Sequence, residues 1–365
     1  MENKSKIIQE FNIICINHKT NNLNKKDFQQ FINGFYQAEG TTGVYFTKKE
    51  SLSVSFWFSL GQNYSPEAVN VLLNLKKILN VGRIKLEFNS QGKAHVRYVV
   101  SNTIDIFDTV VPYFSYLYGQ KRKDLVILEK IYKLSLDIKN FKLNTTFISE
   151  FIHLVYSTNP EGQERKVSLF EKLKIFNCIS KKSLDNFQIE DNKNLPSKLF
   201  IIGLFLGDGS LGFVFDSSPS RLPKFYVKLV FNFAAQSNTK SNIRLLKLIA
   251  ERMNLKPQIS KRQSGMVGLE YSGETVFKFI IPFLVEYEDW LFWRSNKFIV
   301  VQNIATIFKD KGHLTKNGLL LIVNLLYSKP NNYLKSREFW INLINERFMI
   351  KYDCIQSEKN NKHEK

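Results

Sequence analysis

The sequence predicts an α+β protein built from two related halves. Three observations predict it: a duplicated pattern at near-constant spacing, the same order of helix and strand signals after each copy, and period-two alternation within the strands. Phe31-Ile-Asn-Gly-Phe-Tyr-Gln-Ala-Glu-Gly40 and Phe200-Ile-Ile-Gly-Leu-Phe-Leu-Gly-Asp-Gly209 share one pattern, 169 residues apart. Val111-Pro112 pairs with Ile281-Pro282 at an offset of 170, and Tyr156-Ser with Tyr327-Ser at 171. Three matches in one order at nearly one offset indicate a duplicated unit of about 150 residues. The halves are read as residues 24–180 and 197–352. Residues 181–196 form a polar joint ending in Pro196, and residues 356–365 a disordered tail.

Each half opens with a short apolar helix that carries the decapeptide and ends at glycine. Two strands follow, Gly43–Lys48 and Leu52–Leu60 in the first half, Leu211–Asp216 and Phe225–Phe233 in the second. The next helix is Pro66–Leu79, where Ser65 caps and Pro66 takes the first helical position; Lys240–Met253 is its counterpart. Two more strands come next, Arg83–Phe88 and Lys93–Val99, or Pro257–Arg262 and Met266–Tyr271, and helices close each unit.

Composition narrows the class. Hydrophobic residues make up 44%, enough for a substantial core. No apolar run approaches the roughly 18 residues that cross a bilayer, so no membrane partner is expected. The 52 Lys+Arg against 33 Asp+Glu leave +19, a charge that attracts polyanions, nucleic acid first among them. Cys15, Cys178 and Cys354 lie far apart, and the five histidines form no HxxxH pair, which excludes zinc clusters and a disulfide framework. Met1–Lys19 has no hydrophobic signal core. Heavy use of Lys, Asn, Ile and Phe fits an AT-rich genome, and an organellar location, mitochondrial before chloroplast, is the expectation.

The strands sort into two faces. Ile84, Leu86 and Phe88 share one face of the third strand, opposite Arg83, Lys85 and Glu87. On the fourth, Ala94, Val96 and Tyr98 turn inward while Lys93, His95 and Arg97 turn outward. In the second half Phe225, Val227, Leu229, Phe231 and Phe233 face a core, opposite Tyr226, Lys228 and Asn232. A wet face is ordinary in an antiparallel sheet. Its basic and amide composition is what suits the DNA major groove, where Arg or Lys pairs with guanine and Asn with adenine. Lys48, Lys261 and Arg262 join the candidate contacts.

The decapeptides carry the chemistry. Gly34 and Ala38, and Gly203 and Gly207, stand four residues apart on one helix face, so two backbones can approach closely. Glu39 and Asp208 follow at the helix ends. If the helices pack together, both carboxylates arrive at one end of the contact. The negative helix ends make them repel unless they share a cation. Hard oxygens with no His or Cys beside them suit Mg²⁺, which activates water and stabilises the leaving oxygen in phosphodiester hydrolysis.

Ile32–Gly40 and Ile201–Gly209 resemble the two signature motifs of LAGLIDADG homing endonucleases, of the double-motif, single-chain, organellar intron-encoded type. Gly203-Leu-Phe-Leu-Gly-Asp-Gly209 is close, and Ala38-Glu39-Gly40 is an ending common in first motifs. Val81-Gly-Arg-Ile84, Tyr118-Gly-Gln-Lys-Arg-Lys-Asp-Leu125 and Lys311-Gly-His-Leu-Thr315 with Leu326-Tyr-Ser328 extend the likeness along most of the chain.

The resemblance implies two αββαββα halves, with the motif helices at their interface and the sheets forming a saddle over DNA. It implies that Glu39 and Asp208 bind metal with the carbonyls of Ala38 and Gly207. Mg²⁺ or Mn²⁺ would be catalytic and Ca²⁺ a non-catalytic substitute. It also implies that Lys121 stands near one scissile phosphate, where the bland reading is a solvated lysine in the run Lys121-Arg122-Lys123. The second half departs from pattern: Arg294 stands where lysine is expected and Lys297 where the aspartate is, so nicking of one strand is a live reading. Gln62 and Gln236 either orient water or cap strands. Tyr36 and Gln37 are bulkier or more polar than the pattern, which puts the helix packing in doubt.

The expected activity is therefore site-specific hydrolysis of one phosphodiester per strand in a long asymmetric duplex, by a monomer with internal pseudo-two-fold symmetry. Two other readings stay open: an RNA maturase that helps its host intron splice, and a binder that has lost cleavage. Gly207-Asp-Gly209-Ser-Leu-Gly212 also matches a dinucleotide fingerprint. That reading needs a helix after the glycines and an acid about 20 residues on, whereas a strand follows and position 229 is leucine.

Overall fold

The computed structural model describes residues 2–18, 24–48, 52–140, 145–158, 167–178, 192–217, 225–261, 265–328, 335–346 and 348. Most of the predicted joint and all of the predicted tail fall outside these residues. In order, the chain forms α1 (Glu2–Asn17), α2 (Lys25–Glu39), β1 (Gly40–Lys48), β2 (Leu52–Asn63), α3 (Pro66–Leu79), β3 (Arg83–Phe88) and β4 (Ala94–Val100). Then come α4 (Val111–Tyr113), α5 (Gly119–Asn140), α6 (Thr145–Ser157) and α7 (Leu169–Ile175). The second motif opens α8 (Lys198–Asp208), β5 (Ser210–Ser217), β6 (Phe225–Ser237), α9 (Lys240–Arg252), β7 (Ile259–Lys261) and β8 (Met266–Ser272), and α10 (Ile281–Glu286), α11 (Ser295–Lys309) and α12 (Lys316–Leu326) follow. The α+β class and the repeated order of helix and paired strands stand as predicted. The sequence reading missed α1.

Local chemistry starts each helix where polar caps stand. Ser65 accepts from the Ala68 N–H, Ser197 from Phe200 and Thr239 from Asn242, with Pro66 at the first position of α3. Asn80 ends α3 in the left-handed conformation. The motif helices end differently from the expected glycine cap. Gly40 and Gly209 are extended, at φ −72° and −78°, and lead straight into β1 and β5. Glycine is needed there for room: a Cβ on Gly40 would strike the Tyr36 ring, and one on Gly209 the Phe205 ring.

Both sheets have four antiparallel strands, ordered β1-β2-β4-β3 and β5-β6-β8-β7. Register follows the predicted parity. Gly43 pairs with Trp57, Gly61 with Arg97, Lys85 with Arg97 and Phe213 with Leu229. Val96, Tyr98, Leu229 and Phe233 are fully buried. The dry face is less complete at the edge: Ile84, Leu86 and Phe88 on β3 are only half-buried, because an edge strand has a neighbour on one side alone. Lys93 is a second departure. It precedes β4 in a turn, where its N–H and that of Gln91 donate to the Asn89 side chain.

Internal packing divides the chain into two compact units, Met1–Gly209 with Phe233–Leu269, and Ser210–Asn232 with Glu270–Lys365. In the first, Phe28, Phe31, Ile32, Phe35, Tyr36 and Phe58 are among the fully buried side chains. In the second, Val227, Ile304, Leu319, Ile322, Val323 and Ile344 form a core with Phe213 and Phe215 against it. No helix among the described residues is long and apolar enough to cross a membrane. Cys15 and Cys178 are free thiols; Cys354 lies outside the described residues.

Candidate active site at the paired motif helices

Helices α2 and α8 pack directly on each other inside the first unit. A Cβ on Gly34 would strike the carbonyl of Phe200, and one on Gly203 the carbonyl of Phe31. Gly207 faces the Ala38 methyl, and its missing Cβ would lie 3.1 Å from Glu39 Cγ. The structure thus brings Gly34, Ala38, Gly203 and Gly207 together along one seam. Every step of side-chain bulk on that seam would push two backbones apart.

Tyr36 and Gln37 do not disturb this contact because they point elsewhere. The Tyr36 ring stacks on Phe58 with centroids 4.9 Å apart, against the first sheet. Gln37 is fully buried against the backbone of Tyr118.

The seam delivers the acids. Glu39 is the last residue of α2 and Asp208 the last of α8, each at the negative end of its helix. Both act on one cation, Lys121, near the start of α5. Its ammonium donates to the Gly40 carbonyl. Burial is the largest influence on Lys121 and holds it below its ordinary value, while Asp124, Asp208 and Glu39 pull in the opposite direction. Asp124, Asp208 and Glu39 thus all favour the charged form of this one partly desolvated ammonium.

A divalent ion fits this donor set. The acids are hard oxygen ligands, and the helix ends add backbone carbonyls, those of Ala38 and Gly207 among them. Among the described residues no group of three or more His, Cys, Asp or Glu side chains could hold a metal. An ion here would therefore complete its shell with main-chain, water or phosphate oxygens.

Glu39 also opens onto the sheet. A cavity of about 290 Å³ is lined by Glu39, Thr41, Gln62, His95 and Arg97. This puts Gln62 in the same cleft as the first acid, while its Oε1 accepts the Asn63 N–H at 2.8 Å. Beyond the cleft, Arg83 and Arg97 are exposed and Lys85 and His95 half-buried. Arg97 has an exposed partner, Glu87, at 3.5 Å. Tyr45 and Trp57 share the same outward parity and are exposed; the sequence reading passed over both, although period-two alternation marks them. Lys228 and Asn232 are half-buried on β6, and Lys261 is exposed at the end of β7. The side chains of Lys48, Tyr226 and Gln236, and all of Arg262, lie outside the described residues.

Arg294 belongs to the second unit, in a single turn of 3-10 helix before α11. Partial desolvation first, and the Arg294 guanidinium second, hold Lys297 below its usual value, so the pair is mutually repulsive. A wider cavity of about 770 Å³ lies in the same unit, lined by Phe277, Ile281, Phe308 and His313. It has no paired acids.

Two helices that pack face to face along small residues, each ending in an acid and each running into an antiparallel sheet, define a two-motif α+β protein. Residues 32–132 of the chain match the family model of the LAGLIDADG endonucleases. Its fold is that of solved LAGLIDADG homing endonucleases. I-LtrWI bound to target DNA superposes with a TM-score of 0.69 and 23% identity, covering 85% of this chain and 100% of that one. I-SmaMI bound to cleaved DNA gives 0.66 and 22%, covering 84% and 97%. The same enzyme bound to an uncleaved target in the presence of calcium ions gives 0.64 and 23%, covering 83% and 97%. No curated protein sequence matches the chain.

Proposed function

We propose that the chain is a metal-dependent, site-specific endonuclease of double-stranded DNA. One observation carries this reading: Glu39 and Asp208 end two helices whose glycine seam brings them to a single site, where both act on Lys121. Such a centre has no structural purpose that an apolar helix contact would not serve better, since half-buried carboxylates at two negative helix ends cost repulsion and desolvation.

In the proposed reaction Glu39 and Asp208 hold divalent metal, Mg²⁺ or Mn²⁺, with the carbonyls of Ala38 and Gly207. The bound ion supplies Lewis acidity to the phosphate and its leaving oxygen. Lys121 offsets negative charge that develops on the phosphate, a role strengthened by its low-dielectric surroundings. Gln62 hydrogen-bonds water within the Glu39 cleft. Arg83, Lys85, His95, Arg97 and Lys228 engage phosphates and base edges from the sheets, and the +19 charge draws in the polyanion.

Arg294 favours unequal cutting of the two strands. A planar guanidinium presents its charge over a fixed fork rather than as the compact ammonium of Lys121, so the two charges would not support a phosphate equally.

The test is incubation of the purified chain with a randomised duplex library in Mg²⁺, followed by sequencing of cut ends. Ends that converge on one long motif are the expected result. Uncut duplex across the library, with tight RNA binding instead, would overturn it in favour of a maturase.

A further inference from the structure

We propose that Gln29, Asn33 and Gln37 form an amide ladder on the first motif helix that sets the position of Lys121. The inference rests on the proposed role of Lys121 and assigns these three as positioning residues for it.

The three amides stand at i, i+4 and i+8, one stripe of α2 distinct from the glycine seam. They face the segment between α4 and α5, where residues 115–118 adopt neither helix nor strand. Backbone groups of such a segment need partners once buried. The ladder supplies them in sequence. Gln29 Nε2 donates to the Tyr113 carbonyl at 2.8 Å, and Asn33 Nδ2 donates to the same oxygen at 3.1 Å and to the Gln29 carbonyl at 2.8 Å. Asn33 Oδ1 accepts the Tyr116 N–H at 3.1 Å. Gln37 then grips Tyr118 on both sides: Oε1 accepts its N–H at 3.1 Å and Nε2 donates to its carbonyl at 3.3 Å. Asn33 and Gln37 are 0% exposed, so neither amide can be replaced by water.

Tyr118 is the residue before α5, and its carbonyl also accepts from the Arg122 N–H. Fixing Tyr118 therefore fixes the first turn of α5, which bears Lys121. A second grip comes from α9. Asn242 Oδ1 accepts the Gln120 N–H at 3.3 Å and lies against Gly119, which sits at φ +53° and leaves no room for a Cβ. Gln37 stands two residues before Glu39 on the same helix. The acid and the ammonium are thereby indexed to one rigid element rather than to the long chain between them. An apolar stripe would pack this surface without register; paired donors and acceptors give it a single one.

The experiment uses the full chain as wild type, Gln37→Met and Asn33→Leu. Methionine keeps the length and loses both bonds. Accessibility of Lys121 is read by brief reductive methylation and peptide mass spectrometry, with other lysines as internal standards. Single-turnover cleavage and DNA affinity are read beside it. Gln37→Met is expected to raise Lys121 labelling several-fold against the standards. It should slow cleavage by about 100-fold, as a misplacement near 1 Å does, with affinity within about 3-fold. Asn33→Leu keeps the branched shape and loses the bonds to the Tyr113 carbonyl and the Tyr116 N–H, so it should raise Lys121 labelling in the same direction. Lys121 labelling unchanged in Gln37→Met overturns the ladder, whatever the cleavage rate. If that variant does not fold, unchanged Lys121 labelling in Asn33→Leu overturns it equally. A wild type that cuts no DNA sinks the endonuclease reading alone, because labelling still decides the ladder.

Discussion

The ammonium of Lys121 donates to the carbonyl of Gly40, the residue directly after Glu39 and 81 positions away in sequence. The link joins the start of α5 to the end of the first motif helix. It holds a half-buried cation near the acids proposed to bind metal. Replacing Lys121 with Met should lower the single-turnover rate about 100-fold while DNA affinity changes little, as removal of one preorganised charge does. A rate unchanged in this variant would remove Lys121 from the mechanism.

Metal should stabilise the wild type through its acids. Added Mn²⁺ or Ca²⁺ is expected to raise the melting temperature of the wild type, and a chelator to reverse the rise. Glu39→Gln and Asp208→Asn should each blunt that shift and abolish cleavage, with DNA binding retained. Full metal response in both variants would mean that the ion binds elsewhere.

The seam should tolerate no bulk. In Gly203→Val the new side chain meets the Phe31 carbonyl, and Gly34→Val meets that of Phe200. Each is expected to destabilise the chain by about 3 kcal/mol or more, the upper range for overpacking, because backbone on both sides cannot yield. Urea unfolding checks this. A midpoint equal to that of the wild type would show that the helices separate without loss.

His313 gives the second unit an acid-sensitive point. It stacks on Phe308 with centroids 4.2 Å apart. Burial, the larger influence, holds it below its ordinary value against a backbone hydrogen bond to Phe308. The unfolded chain thus binds the proton more readily between the folded value and 6.5. Stability from this residue is complete above that window and falls as pH drops through the folded value. Urea midpoints measured at about pH 5 and pH 7.5 should differ less in His313→Phe than in the wild type. An equal difference in both would place the acid sensitivity in other groups.

DNA affinity should fall steeply as salt rises, since each phosphate neutralised releases counterions. Charge-removing changes at Arg83 and Lys85 should flatten the logarithmic slope by about one per lost phosphate contact. The exposed Arg97–Glu87 pair is worth little to the fold, so Arg97 is available to exchange its partner for phosphate. A flat salt response would argue against a duplex partner.

Much of the fold was legible in the sequence because its signals are local. The cap at Ser65 starts a helix wherever it stands, and alternation through Val96 and Tyr98 or Leu229 and Phe233 sorts a strand whatever packs on it. The i, i+4 spacing of Gly34 with Ala38 and Gly203 with Gly207 announced a close helix contact. Edges were harder to read. The incomplete burial of β3 depends on which strand lies beside it, and Lys93 left its strand because Asn89 captured its N–H.

By itself the sequence determined the repeat, the paired acids and the faces of the strands, since period and spacing are properties of consecutive residues. Only the tertiary structure decided that Gln37 turns to Tyr118 rather than to α8, that Gln62 shares a cleft with Glu39, and that Lys121 reaches Gly40. Each of those facts joins residues far apart along the chain. A helix shows which way a side chain points, but what stands in front of it is settled when the other elements pack.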